Sequence, residues 1–147
     1  MPTITLREIT ADTLRPILKL EVAENQRGFV APNAVSVAEA YFHRDHAWFR
    51  GIYADDTPVG FVMLYIDTDK AQYHVWRYMI DQRFQKHGYA YRAMELVIEH
   101  VRSLPNAKEL SLSFVPGDGD PSGFYAKLGF ELTDEWEEGE RVMRLRL

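Results

Sequence analysis

The sequence predicts a single α/β domain built on a mixed sheet, with elements in the order βααβββαβαββ. Three observations carry that reading. Short runs that alternate apolar and polar residues are interleaved with stretches whose apolar residues fall at helical spacing. The stretch from Ala71 to Val115 reads strand–helix–strand, which implies a parallel, right-handed crossover. The chain has 147 residues, 46% of them hydrophobic, which is enough for one domain with a real core and too few for two.

Each element has its own signal. Thr3–Ile9 alternates and reads as a strand. Thr10 to Val22 carries Leu14, Ile17, Leu18 and Val22 at helical spacing, with Pro16 in the first turn, where a missing N–H costs nothing. Gly28, Pro32 and Asn33 mark a loop. Ser36-Val37-Ala38-Glu39 reads as a capping box that starts a second helix at Val37. Trp48–Ala54, Val59–Ile66 and Ala71–Ile80 are expected to form an antiparallel meander, turning at Asp55-Asp56-Thr57-Pro58 and at Asp67-Thr68-Asp69-Lys70. The helix after Gly88 places Ala90, Met94, Val97, Ile98 and Val101 on one face, and Pro105-Asn106 ends it. Glu109–Val115 is a strand. Pro121–Leu128 is a short helix stopped by Gly129. Phe130–Trp136 and Glu140–Leu147 form a closing hairpin around Glu137-Glu138-Gly139.

Composition narrows the function. The net charge of −5 argues against nucleic acid, whose phosphates need a basic face, and is compatible with a small cationic ligand. With no cysteine there is no disulfide, no thiolate catalysis and no Cys-based zinc site. No apolar run approaches a membrane span and the N-terminus lacks a signal-peptide pattern, so a cytoplasmic location is expected. His43-Arg44-Asp45-His46 lacks a third ligand for a metal and reads as a polar helix end.

The segment Gln85-Lys86-His87-Gly88-Tyr89-Ala90 follows the strand Val75–Ile80 and opens the long helix. Strand, Gly-containing turn and helix together aim free backbone N–H groups at a phosphate, and Gly88 allows close backbone approach. After the next strand comes Phe124-Tyr125-Ala126-Lys127-Leu128-Gly129-Phe130. The two segments, at this separation and in this element order, resemble the GNAT (Gcn5-related N-acetyltransferase) superfamily over nearly the whole chain. Three further stretches are similar to its bacterial diamine/polyamine acetyltransferase branch: Gln26…Phe29-Val30-Ala31…Asn33…Ser36…Glu39-Ala40-Tyr41, then Trp76-Arg77-Tyr78-Met79-Ile80-Asp81, and Gly139-Glu140-Arg141-Val142-Met143.

The resemblance implies acetyl-CoA as donor and a small-molecule amine as acceptor, with no nucleic-acid or membrane partner. Its pyrophosphate would lie on the N–H groups of Gln85 to Ala90 and its pantetheine arm on the strand edge Met79, Ile80 and Asp81. In the family, the strands matching Ala71–Ile80 and Glu109–Val115 splay apart to admit the cofactor. The family commonly has Asn and Ala where this chain has Asp118 and Pro121. Asp118 keeps a side-chain oxygen but not the amide donor, and Pro121 removes one N–H.

Acetyl transfer to an amine needs a neutral amine, a stabilised thioester oxygen and a proton for the leaving thiolate. The resemblance assigns that proton to Tyr125, a phenol protonated at neutral pH. A backbone N–H of Met79 or Ile80 would serve the oxygen. The base is open. His74 stands eleven residues before Gln85, where histone-type relatives carry a Glu, and Glu21, Glu24 and Asp81 are alternatives through water. Arg77 should face away from His74 by strand alternation and reads as a structural ion pair. Glu21 and Glu24 are the candidates for receiving a polycationic acceptor. Glu39 is taken up by the capping box, and Glu135, Glu137, Glu138 and Glu140 read as a solvated hairpin. The sequence leaves open a peptide or protein acceptor, a non-catalytic acyl-CoA-binding module, and the oligomeric state, a homodimer included.

Overall fold

Alternating apolar residues give seven strands, and the computed structural model, which describes residues 1–147, assembles them into one mixed sheet in the order β1-β2-β3-β4-β5-β7-β6. The elements are β1 (Ile4–Arg7), α1 (Leu14–Leu18), α2 (Asn33–Tyr41), β2 (Ala47–Ala54), β3 (Thr57–Asp67), β4 (Gln72–Ile80), α3 (Tyr89–Arg102), β5 (Glu109–Phe114), α4 (Ser122–Lys127), β6 (Glu131–Glu137) and β7 (Glu140–Arg146). This is the expected βααβββαβαββ order. Two single 3₁₀ turns, Glu24–Gln26 and Gln82–Phe84, are added to it. β2, β3 and β4 form the antiparallel meander, and β4 and β5 are parallel. The closing hairpin pairs with β5 through β7, which leaves β6 as a largely exposed edge.

The sheet buries an apolar layer on each face. On one, Ala93, Met94, Val97, Ile98 and Val101 of α3 pack on Val62, Leu64, Val75, Leu110 and Leu112. On the other, Ile17, Leu20 and Ala40 cover Phe61, Met63 and Met79. Each fully buried Leu, Ile or Met contributes about 1.5–3 kcal/mol, so the two layers together fix the sheet between them.

Three expectations are corrected. The first helix is only Leu14–Leu18: the Thr10 N–H donates to Thr13 Oγ1 (2.8 Å) and closes a turn that delays its start. Pro16 still lies in its first turn. The capping box at Ser36 does not form. The second helix starts at Asn33 after Pro32, and Ser36 is fully buried inside it. Asn33 Nδ2 instead donates to the Ile17 carbonyl (2.9 Å), and Glu39 faces Arg77. Finally, Arg77 shares a face with His74. Met63 pairs with Arg77 and Leu64 with Val75, so Trp76 is an extra residue in β4, and this bulge resets the alternation.

Candidate active site

β4 and β5 are hydrogen-bonded neighbours only at His74 with Ser111 and Val75 with Leu112. Beyond these pairs the strands part, next to the Trp76 bulge, which adds local twist to β4. The gap is a cleft of about 670 Å³ that passes from one face of the sheet to the other. Ala90, Phe124 and Tyr125 line it on the α3 and α4 side. On the α1 and α2 side it is lined by the loop from Arg27 to Pro32 and by Trp76, Arg77, Ser113 and Glu140.

The exposed edge of β4 in the gap can be assigned by alternation. The Asp81 N–H donates to Val59 O on β3 (2.8 Å), so the N–H of Met79 also faces β3. Those of Tyr78 and Ile80 face the gap. Of the two oxyanion donors left open by the sequence, Ile80 is the one with this orientation.

At the head of α3, Lys86 (φ 66°) and Gly88 (φ 80°) both take left-handed backbone conformations. None of the N–H groups from Lys86 to Tyr91 donates a hydrogen bond within the chain. Six adjacent donors without an internal partner thus adjoin the positive end of a 14-residue helix, a setting that suits an anion. The Gln85 side chain is not among them. Its Nε2 donates to the Ile80 carbonyl (2.9 Å) and to Gln26 Oε1 (2.8 Å), joining the turn to the loop that follows α1. Tyr78, missed in the sequence reading, donates its hydroxyl to the Ala90 carbonyl (2.5 Å) and stacks on Phe124, with ring centres 6.3 Å apart. It thereby fixes the start of α3 and α4 against β4. A Tyr in the strand before the turn was the only available signal.

Tyr125 is buried, its ring set edge-on to Phe124 and Phe130. Tyr125 borders the cleft, and its hydroxyl makes no hydrogen bond within the chain. Burial pushes the phenol well above its ordinary range, so it holds its proton throughout the neutral and alkaline region.

The other sequence candidates lie elsewhere. His74 is at the closed end of the gap, where β4 and β5 are still paired. Its Nδ1 meets Ser111 Oγ at 2.9 Å, and burial holds its pKa below the usual value. Asp81 is buried and fully used. It accepts from the Glu21 N–H (2.9 Å) and from both the N–H and Nε of Arg83 (2.9 Å each). Burial alone would raise its pKa, but those donors hold it below the normal carboxylate value. Glu21 and Glu24 are exposed outside the cleft, and Glu21 pairs with Arg27 (3.6 Å). Asp118 is exposed on the loop before α4, also outside the lining, whereas Pro121 borders it. Lys86, His87, Gly88 and Tyr89 form the turn itself.

A model of the acetyltransferase (GNAT) family matches residues 14–130, and the chain belongs to that family. It is 28% identical to the spermine/spermidine N(1)-acetyltransferase of Bacillus subtilis (strain 168), an alignment that takes in 95% of this chain and 96% of the relative. Its fold is that of the PaiA N-acetyltransferase from Thermoplasma acidophilum, solved in complex with coenzyme A. The TM-score is 0.69 at 17% identity, over 99% of each chain. It also matches N-acetylglutamate synthase from Neisseria gonorrhoeae, solved with coenzyme A and N-acetyl-glutamate (TM-score 0.75, 16% identity). All of this chain aligns there, but it spans only 36% of that larger protein.

Proposed function

We propose that this protein transfers the acetyl group of acetyl-CoA to a primary amine of a small di- or polyamine. One observation carries the reading: a single cleft is lined from both faces of the sheet, by Ala90 of the turn with free backbone donors on one side and by Glu140 on the other. Two substrates can thus meet in the gap from opposite sides. The polyamine acceptor of the 28% identical relative supports the choice of amine.

The residues present fit the cofactor. The unpaired N–H groups of Lys86 to Tyr91 suit its pyrophosphate, and the free edge at Tyr78 and Ile80 suits the amides of its pantetheine arm. Bound there, acetyl-CoA supplies the acetyl group as an activated thioester. The Ile80 N–H donates to the carbonyl oxygen as that oxygen gains charge. Tyr125, protonated and with its hydroxyl otherwise unengaged, would donate its proton to the sulfur as the carbon–sulfur bond breaks and would regain one from solvent as the thiol leaves. The attacking amine enters from the Glu140 side as the free base. Its departing proton leaves to solvent at that open mouth, since His74, Glu21, Glu24 and Asp81 do not border the cleft. Arg27 and Arg77 would suit the carboxylate of a peptide or amino-acid acceptor, but each already faces a carboxylate of the chain.

Initial rates with 1,4-diaminobutane and with 1-aminobutane test this reading. The diamine should be the better substrate by kcat/KM, and its advantage should shrink with salt, since exposed charges are screened over about 10 Å at 0.1 M. Equal kcat/KM for the two amines at all salt concentrations would remove the polyamine acceptor.

A further inference from the structure

Four charged side chains border the cleft: Arg27, Arg77, Asp120 and Glu140. Arg27 faces Glu21 at 3.6 Å and Arg77 faces Glu39 at 3.3 Å, so each cation is matched by a carboxylate of the chain. Asp120 and Glu140 have no cation within salt-bridge distance. Asp120 is used by its own loop: it accepts from the Gly117 N–H (3.0 Å) and from both the N–H (3.0 Å) and hydroxyl (2.6 Å) of Ser122. Glu140 receives only the Ser113 hydroxyl, at 3.2 Å, which leaves one of its oxygens free. It is half-buried at the first position of β7, directly across the hairpin from another carboxylate, Glu137. Glu138 and Gly139, both at positive φ, form the tight turn that holds it there. Ser113 alternates with Leu112 and Phe114 of the α3-side core, so it and Glu140 are on the opposite, acceptor-side face.

We infer that Glu140, steadied by Ser113, receives the second ammonium of the acceptor and so sets the enzyme's preference for a diamine. The inference rests on the proposed acyl transfer to a cationic amine. A carboxylate on a rigid hairpin end, partly desolvated and without a cation of its own, gains a charge-assisted hydrogen bond when an ammonium arrives. A monoamine of the same length leaves it as it was. Holding the far end of the acceptor also limits how the near nitrogen can lie in the gap, which favours the attacking geometry.

The test uses the whole protein with acetyl-CoA, 1,4-diaminobutane and 1-aminobutane, comparing wild type, Glu140→Gln and Glu138→Gln. The last is a control of equal charge change at an exposed residue outside the cleft. Thermal melting verifies that all three are folded. Glu140→Gln should lower kcat/KM for the diamine by about tenfold or more, mainly through KM. It should leave 1-aminobutane within about twofold, and Glu138→Gln should change neither substrate. An equal loss for both amines, no loss for either, or the same loss in Glu138→Gln overturns the assignment of Glu140 while leaving acyl transfer intact. A folded wild type that acetylates neither amine overturns the acyl-transfer reading, and this assignment with it.

Discussion

Replacing Tyr125 by Phe removes one oxygen atom from the point where the account puts the leaving sulfur. The cost to the fold follows from the surroundings. The ring packs on Phe124 and Phe130, with centres 5.2 and 5.6 Å away, and the substitution keeps it. The hydroxyl makes no hydrogen bond within the chain, so none is lost, and stability should stay within about 0.5 kcal/mol of wild type. The cost to catalysis follows from the role. A positioned proton donor is worth about 10²–10⁴-fold, or about 2.7–5.4 kcal/mol on the barrier. Turnover, followed by thiol release at saturating acetyl-CoA and amine, should fall by that factor, while acetyl-CoA affinity by calorimetry changes little. Single-turnover measurements establish whether chemistry limits the rate. Because burial raises the phenol pKa well above its ordinary value, Tyr125 should add no alkaline fall to the wild-type profile. A wild-type turnover number in the folded variant, with chemistry limiting, would refute the reasoning, because a hydroxyl without internal partners would then serve neither fold nor reaction.

The remaining predictions concern the turn at the head of α3, Asp81 and His74. The Cβ of Gly88→Glu meets no atom within 4 Å, but the residue takes on a left-handed φ of 80°, costing about 1 kcal/mol of stability. It should weaken acetyl-CoA binding by more than about 100-fold in calorimetry, through like-charge repulsion at the pyrophosphate. Asp81→Asn should cost about 2–3 kcal/mol at neutral pH, read from denaturant unfolding, since a buried charge accepting three hydrogen bonds is lost. The folded-state pKa of Asp81 lies below the unfolded value, so its contribution is present above about pH 4 and lost as pH falls through the folded value. Wild type and variant should therefore converge in acid. His74→Gln should leave turnover within about twofold, as a residue outside the cleft would. Burial first, and Arg144 second, lower the His74 pKa against a raising effect of Glu137. The neutral form is thus favoured in the fold, and stability present above about pH 6.5 is lost as pH falls below it. The variant should escape that loss in melts across this range.

Much of the architecture was legible because periodicity reports burial. The five residues of α3 that face the core include four of those on the predicted stripe, and the element order is the one the alternation gave. The turn at the head of α3 was legible because its signal is local: a Gly at the head of a helix after a strand. What stayed hidden depends on contacts distant in the chain. The Trp76 bulge has no local marker, yet it decides which face Arg77 takes. Ser36 and Glu39 match a capping box, but the helix begins earlier because Asn33 finds Ile17 and Glu39 finds Arg77. Glu140 looked like one of four solvated acids until the hairpin register turned it toward Ser113. Conversely, Asp81, Glu21 and His74 looked available as free carboxylates or a free imidazole. Asp81 instead accepts from the Glu21 N–H and so joins the loop after α1 to the end of β4, the Glu21 carboxylate faces Arg27, and His74 pins the closed end of the gap.

The central claim is that the gap between β4 and β5 is where an acetyl group passes from a thioester to an amine. Mass balance measures it most directly: purified protein, acetyl-CoA and 1,4-diaminobutane, with free coenzyme A and acetylated amine quantified together over time. The account predicts that the two products accumulate in equal amounts, over many turnovers, at a rate proportional to enzyme. Acetyl-CoA that binds without yielding acetylated amine, with 1,4-diaminobutane or any other amine or peptide, would contradict it and mark the cleft as a binding site alone.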